Sequence, residues 1–174
     1  MDLEFAKLLY FRELDRRAEL DSAPTFRVAI LALLGGVFSF YMQHFQPASN
    51  VLSILFLASA AATVFFSVLS VIWIIRSYSG YVWAYLPLPE QLATHYEELV
   101  EYHSRYPSET NTAETLFATH LRQQFIEAAS RNARNNNRRS EFIYRASLFL
   151  SVAVVFSLLA GLPVLSEGLR VALL

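Results

Sequence analysis

Between Arg131 and Arg139 the chain reads Arg-Asn-Ala-Arg-Asn-Asn-Asn-Arg-Arg, its densest concentration of guanidinium and amide groups. Guanidinium forks hold phosphate and carboxylate oxygens bidentately, and amides donate and accept beside them. Arg131, Arg134, Asn135, Arg138 and Arg139 are therefore candidate contacts for a phosphate-bearing ligand or an acidic partner. The same charges also suit a basic collar on anionic lipid headgroups, each contact contributing about 1 kcal/mol. Asparagine is a poor helix former, so a plain stalk would not carry this many of them, which favours a ligand for Arg131 and Arg134. Arg138 and Arg139 stand nearest the following apolar run, which favours headgroups for them.

A second pattern is the row of hydroxyls Ser59, Thr63, Ser67 and Ser70 in an otherwise apolar stretch. Such a row lines a pore or an oligomer contact, or simply packs one helix closely on its neighbours within a bundle. Small residues recur likewise at Ala29, Ala32 and Gly36, and at Ala146, Ala153 and Ala160. His95, Glu98 and His103 are close in sequence, but a separation of eight residues turns the two imidazoles about 80° apart on a helix. No metal site is expected there. The chain has no cysteine, hence no thiolate nucleophile or ligand. No nucleophile stands at catalytic spacing from a base, and no glycine-rich phosphate loop is present. Neither an enzymatic reaction nor a cofactor is expected.

The elements that must carry these residues are set by composition. Of 174 residues, 55% are hydrophobic and 17% charged, against about 25% charged in soluble proteins. The apolar residues gather in three blocks, each long enough to cross about 30 Å of hydrocarbon. The fold class expected is an all-α integral membrane protein with three transmembrane helices, a helical cytoplasmic insert, and a long final helix continuous from cytoplasm into membrane. A net charge of -1 gives no general attraction to nucleic acid, and none is expected as a partner.

Along the chain, residues 1–23 form an amphipathic helix, with Phe5, Leu8, Leu9, Phe11 and Leu14 at spacings of three and four. Ser22 and Pro24 suit a cap and a helix restart. Residues 24–76 make a transmembrane hairpin, with spans at about 26–45 and 51–75 joined by the proline-bearing turn His44 to Asn50. Trp73, Tyr78, Tyr81 and Trp83 read as an interfacial belt. Residues 77–141 hold a helix starting at Pro89 and the polar half of a last helix capped by Asn111 or Thr112, with a turn at Tyr106 to Thr110. The third span is 142–162, its helix running without a proline until Pro163, and 163–174 is a short outward-facing tail.

Of the fourteen Lys and Arg residues, only Arg170 follows the third span, and none lies in the hairpin turn. The positive-inside rule puts the N-terminus and residues 77–141 in the cytoplasm, and the hairpin turn and C-terminus outside. No charge sits in the interior of a span, which argues against a coupled transporter.

In layout the chain resembles the small transmembrane effectors of bacterial anti-phage systems of the Pycsar and CBASS type. Leu14 to Ala29 and Asn136 to Ala146 (Asn-Asn-Arg-Arg-Ser-Glu-Phe-Ile-Tyr-Arg-Ala) carry most of the similarity. The resemblance implies a homo-oligomer in the inner membrane that answers a cyclic nucleotide or partner signal and impairs membrane integrity, causing growth arrest or abortive infection. A membrane anchor recruiting a cytosolic partner, or a channel unrelated to defence, are the alternatives.

Overall fold

The computed structural model describes residues 2–45, 50–106 and 112–172. Four helices account for almost all of them: α1 (Leu3–His44), α2 (Asn50–Tyr78), α3 (Pro89–Arg105) and α4 (Ala113–Ala172). No strand occurs among the described residues. Three of the helices are long and apolar enough to cross a membrane, in the segments Leu3–His44, Val51–Tyr78 and Ala113–Leu165. Of the expected turns His44 to Asn50 and Tyr106 to Thr110, residues 46–49 and 107–110 lie outside the described residues, as does the cap at Asn111.

The chain divides into two compact units. One, here the polar unit, joins Met1–Glu19 to Tyr81–Arg138; the other, the apolar unit, joins Leu20–Gly80 to Arg139–Leu174.

One series of buried positions in α4 runs through Phe125, Ala129, Asn132, Asn136, Arg139, Ile143, Ala146, Leu150, Ala153, Ser157 and Ala160, with Ala128, Gly161 and Pro163 buried beside it. Steps of four and three alternate throughout, giving the 3.5-residue repeat of coiled-coil packing. α2 repeats the pattern at Phe56, Ala60, Thr63, Ser70, Ile74 and Ser77. A stripe of small and hydroxyl side chains at such positions lets helix backbones approach closely, the usual way helices associate in lipid.

Within the apolar unit, Leu34 of α1 packs with Leu150 and Ala153 of α4. Arg27 Nε donates to Ser147 Oγ at 2.7 Å, and a side chain at Gly161 would meet Tyr41. Both positions rise together along α1 and α4, so these two helices run parallel. α2 runs antiparallel to them: Ser70 Oγ donates to the Ala146 carbonyl at 2.9 Å, and Arg139 Nε to the Ser77 carbonyl at 2.8 Å.

The break expected around Ser22 to Pro24 does not occur; α1 passes through Pro24 unbroken. Proline fixes φ at a helical value, but inside a helix it takes the donor from the carbonyl four residues earlier, here that of Leu20, and crowds it. Side chains supply donors to nearby carbonyls. Tyr78 donates its hydroxyl to the Asp21 carbonyl at 3.0 Å, and Arg27 Nη1 donates to the Ala23 carbonyl. Pro24 is itself fully buried, so packing on its neighbours outweighs the lost bond. α4 likewise continues past Pro163, also fully buried, where the sequence suggested an end.

In the polar unit, Ala6 and Tyr10 of α1 form a core with Phe125, Ala128 and Ala129 of α4, against which Ala84 and Leu86 pack. α3 buries no residue completely. It meets α4 through Tyr96 and Phe117, whose ring centroids are 5.2 Å apart, and through His95 and His120 at 4.5 Å. Its start is closed by the Leu88 N–H donating to Gln91 Oε1 at 3.2 Å. α4 starts on a reciprocal pair, the Thr112 N–H donating to Thr115 Oγ1 at 2.9 Å and the Thr115 N–H to Thr112 Oγ1 at 3.2 Å.

Candidate functional site: a cationic aromatic cleft

Between α2 and α3 the polar unit contains an extended segment that ends on Pro87 and Leu88, and Pro89 opens α3. An extended chain beside a helix has no ladder to join, so its backbone groups need other partners. The asparagines of α4 provide them. Asn132 accepts the Ala84 N–H on Oδ1 at 3.0 Å and returns a donor from Nδ2 to the Ala84 carbonyl at 3.0 Å. One side-chain amide thus pairs with both polar groups of a single residue, as a neighbouring strand would. Asn135 Nδ2 donates to the Val82 carbonyl at 3.0 Å. Asn136 Nδ2 donates to the Glu13 carbonyl at 2.8 Å and to Glu13 Oε2 at 2.9 Å, tying α1 to α4 in this unit.

Pinning Ala84 from beneath fixes the side chains on either side of it, Trp83 and Tyr85. Arg17 of α1 holds both: its Cζ lies 4.4 Å from the Trp83 ring centroid, and Nη1 donates to the Tyr85 hydroxyl at 2.8 Å. Trp83, Ala84 and Tyr85 form one wall of a cleft of about 620 Å³, and Gln124, Glu127, Ser130, Arg131 and Arg134 of α4 form the other.

Arg131 and Arg134 are exposed. Neither takes part in any ion pair or hydrogen bond among the described residues. Glu127 brings one carboxylate to the same cleft and accepts a hydrogen bond from Gln123 Nε2 at 2.8 Å. Two guanidiniums against one carboxylate leave the cleft net cationic. Guanidinium forks can grip a phosphate while the indole and phenol present faces to a planar ring.

The remaining residues singled out in the sequence are distributed as follows. Asn135 holds the extended segment beside the cleft. Arg138 is exposed and does not line the cleft. Arg139 belongs to the apolar unit, where its side chain is 3% exposed and its Nη2 meets Asp21 Oδ1 at 2.6 Å. Together with the bond to the Ser77 carbonyl, this places a cation on the C-terminal end of α2, where the helix dipole favours it.

Ser59, Thr63 and Ser70 are buried within the apolar unit. Thr63 donates to the Ser59 carbonyl at 2.9 Å and Ser70 to Ala146. Ser67, half-buried, borders a shallow groove with Thr63, Leu31 and Leu34. His95 faces His120 across the α3–α4 contact, rather than His103.

Sequence reasoning missed Arg17, Trp83, Tyr85 and Asn132 as parts of the site. Trp83 belongs to the polar unit and Trp73 to the apolar unit. No protein family matches the chain, and neither a curated protein nor a solved structure is recognisably similar to it.

Proposed function

We infer that the chain is a non-enzymatic membrane effector of a bacterial antiviral system. Its polar unit takes up a phosphate-bearing ligand, a cyclic nucleotide by the resemblance in layout, in the cleft of Trp83, Tyr85, Arg131 and Arg134. Its spans, assembled from several copies in the inner membrane, then impair the bilayer and arrest growth. The N-terminus and residues 77–141 lie in the cytoplasm and the C-terminus in the periplasm, an orientation supported by the distribution of Lys and Arg.

The observation that carries the ligand reading is the pair of exposed guanidiniums without carboxylate partners, set opposite an indole in one cleft. A cation pair kept open beside an aromatic wall suits a ligand with a phosphate and a planar ring better than it suits bare headgroups.

The test is dye release from proteoliposomes holding the full chain, challenged with a panel of cyclic mono- and dinucleotides. At least one should trigger release, and the double variant Arg131→Gln with Arg134→Gln should abolish it while inserting normally. Release indifferent to every nucleotide and to both substitutions would overturn the reading.

A second reading is favoured by one feature. Phe5, Leu8 and Phe11 are each about half exposed on a single side of α1 in the polar unit. Such an apolar patch is what a recruited partner would cover. An anchor of that kind would retain a cytosolic protein and release no dye under any challenge.

A further inference from the structure

Arg27 is the last formal charge of α1 before the uncharged run 28–43, and Arg145 the last of α4 before the uncharged run 146–166. In the apolar unit Arg27 is half-buried and held in place. Its Nε donates to Ser147 Oγ at 2.7 Å, and its Nη1 to the Ala23 carbonyl. Ser147 Oγ donates its own proton to the Ile143 carbonyl at 2.9 Å, so it can only accept from Arg27 and fixes the guanidinium plane. A guanidinium has five N–H donors. These bonds use two, leaving three, and no carboxylate pairs with Arg27 among the described residues.

A half-buried cation without a counter-charge is unusual, since removing a charge from water is favourable only when another charge or set of acceptors replaces it. Arg27 stands at the mouth of a cleft of about 180 Å³ between α1 and α4. Ser147 and Ser151 also line it. Phe26, Ile30, Leu150 and Val154 line the remainder, the last three within the uncharged runs, where the available filling is hydrocarbon.

The geometry points to a bound anionic phospholipid, its phosphodiester on Arg27 and Ser151 and the upper part of one acyl chain along Ile30, Leu150 and Val154. The planar fork left open by Ser147 matches phosphate oxygens. The apolar remainder of the cleft excludes free phosphate as its natural occupant, because an inorganic anion leaves that surface unfilled. The site is separate from the cleft of the polar unit and stands or falls independently of it.

The test is native mass spectrometry of the full chain, delipidated in mild detergent and offered phosphatidylglycerol and phosphatidylcholine in equal amounts. The wild type should retain phosphatidylglycerol in preference. Arg27→Gln should lower that retention about tenfold, the scale of one charge-assisted phosphate contact. Ser151→Leu fills the cleft while leaving the bonds of Arg27 intact, and should also expel the lipid. Arg76→Gln, which removes an exposed cation near the end of α2, should leave retention unchanged. Equal loss in Arg76→Gln and Arg27→Gln would mean general surface attraction and overturn the site. So would undiminished retention in both Arg27→Gln and Ser151→Leu, or displacement of the lipid by inorganic phosphate.

Discussion

Replacing Asn132 separates a clamp of the extended segment from an ordinary surface contact. Asn132 is fully buried and makes two hydrogen bonds of 3.0 Å to Ala84. Asn132→Leu keeps the branched shape, at a somewhat larger volume, and removes both. Each such bond contributes about 1 kcal/mol net, and a buried group left unpaired costs about 1–3 kcal/mol. Ala84 is only half-buried, so water can reach its freed groups in part, and the sum settles near about 2 kcal/mol. Asn132→Asp is closer in shape and should be worse. It keeps the acceptor for the Ala84 N–H but sets a carboxylate oxygen against the Ala84 carbonyl at a side chain that is itself fully buried, a loss of about 3 kcal/mol or more. Asn135→Ala, which removes one bond at the surface, should cost about 1 kcal/mol or less.

Thermal unfolding in mild detergent, followed by far-ultraviolet circular dichroism, reads the order. At about 2–4 °C per kcal/mol for a chain of this size, Asn132→Leu should lower the midpoint by about 4–8 °C. Amide hydrogen exchange localises the effect, because the Ala84 N–H should lose its protection in Asn132→Leu and keep it in Asn135→Ala. An Asn132→Leu protein with the wild-type midpoint and a protected Ala84 amide would refute the clamp.

Two further outcomes are expected. A Cβ at Gly161 would lie 2.5 Å from the Tyr41 hydroxyl, so Gly161→Ala should destabilise the apolar unit by about 1–3 kcal/mol; Tyr41→Phe should restore part of the loss in the double variant, and a neutral single variant would show the contact to be loose. For orientation, alkaline phosphatase fused after Leu174 should be active and fused after Glu109 silent; the reverse pattern would invert the topology and remove the cytoplasmic cleft.

The three long apolar helices were legible because hydropathy and length are local properties. The two prolines misled because a lone proline in a chain reads as a helix end, whereas burial of Pro24 and Pro163 among neighbouring helices keeps α1 and α4 continuous. The arginine and asparagine run was half readable. Its residue types were visible, but their division between faces depends on the packing repeat. Stepping back in sevens from Ala160, Ala153 and Ala146 reaches Arg139, Asn132 and Phe125, all buried. That arithmetic was available in the sequence and assigns Asn132 and Arg139 to the interior, leaving Arg131, Arg134 and Arg138 outside. The aromatic wall was not legible, since Trp83 and Tyr85 reach Arg17 and α4 only through contacts distant in the chain.

The most direct measurement uses the tryptophan already in the cleft. The chain has two tryptophans, so Trp73→Phe leaves Trp83 as the sole indole emitter beside Arg131 and Arg134. Titrating this protein with the cyclic nucleotide that releases dye should change Trp83 emission saturably, over the same concentrations as the release. Adding Arg131→Gln and Arg134→Gln should remove both responses together. Dye release with unchanged Trp83 emission, or an emission change that survives loss of both arginines, would contradict the cleft as the place where the signal is received.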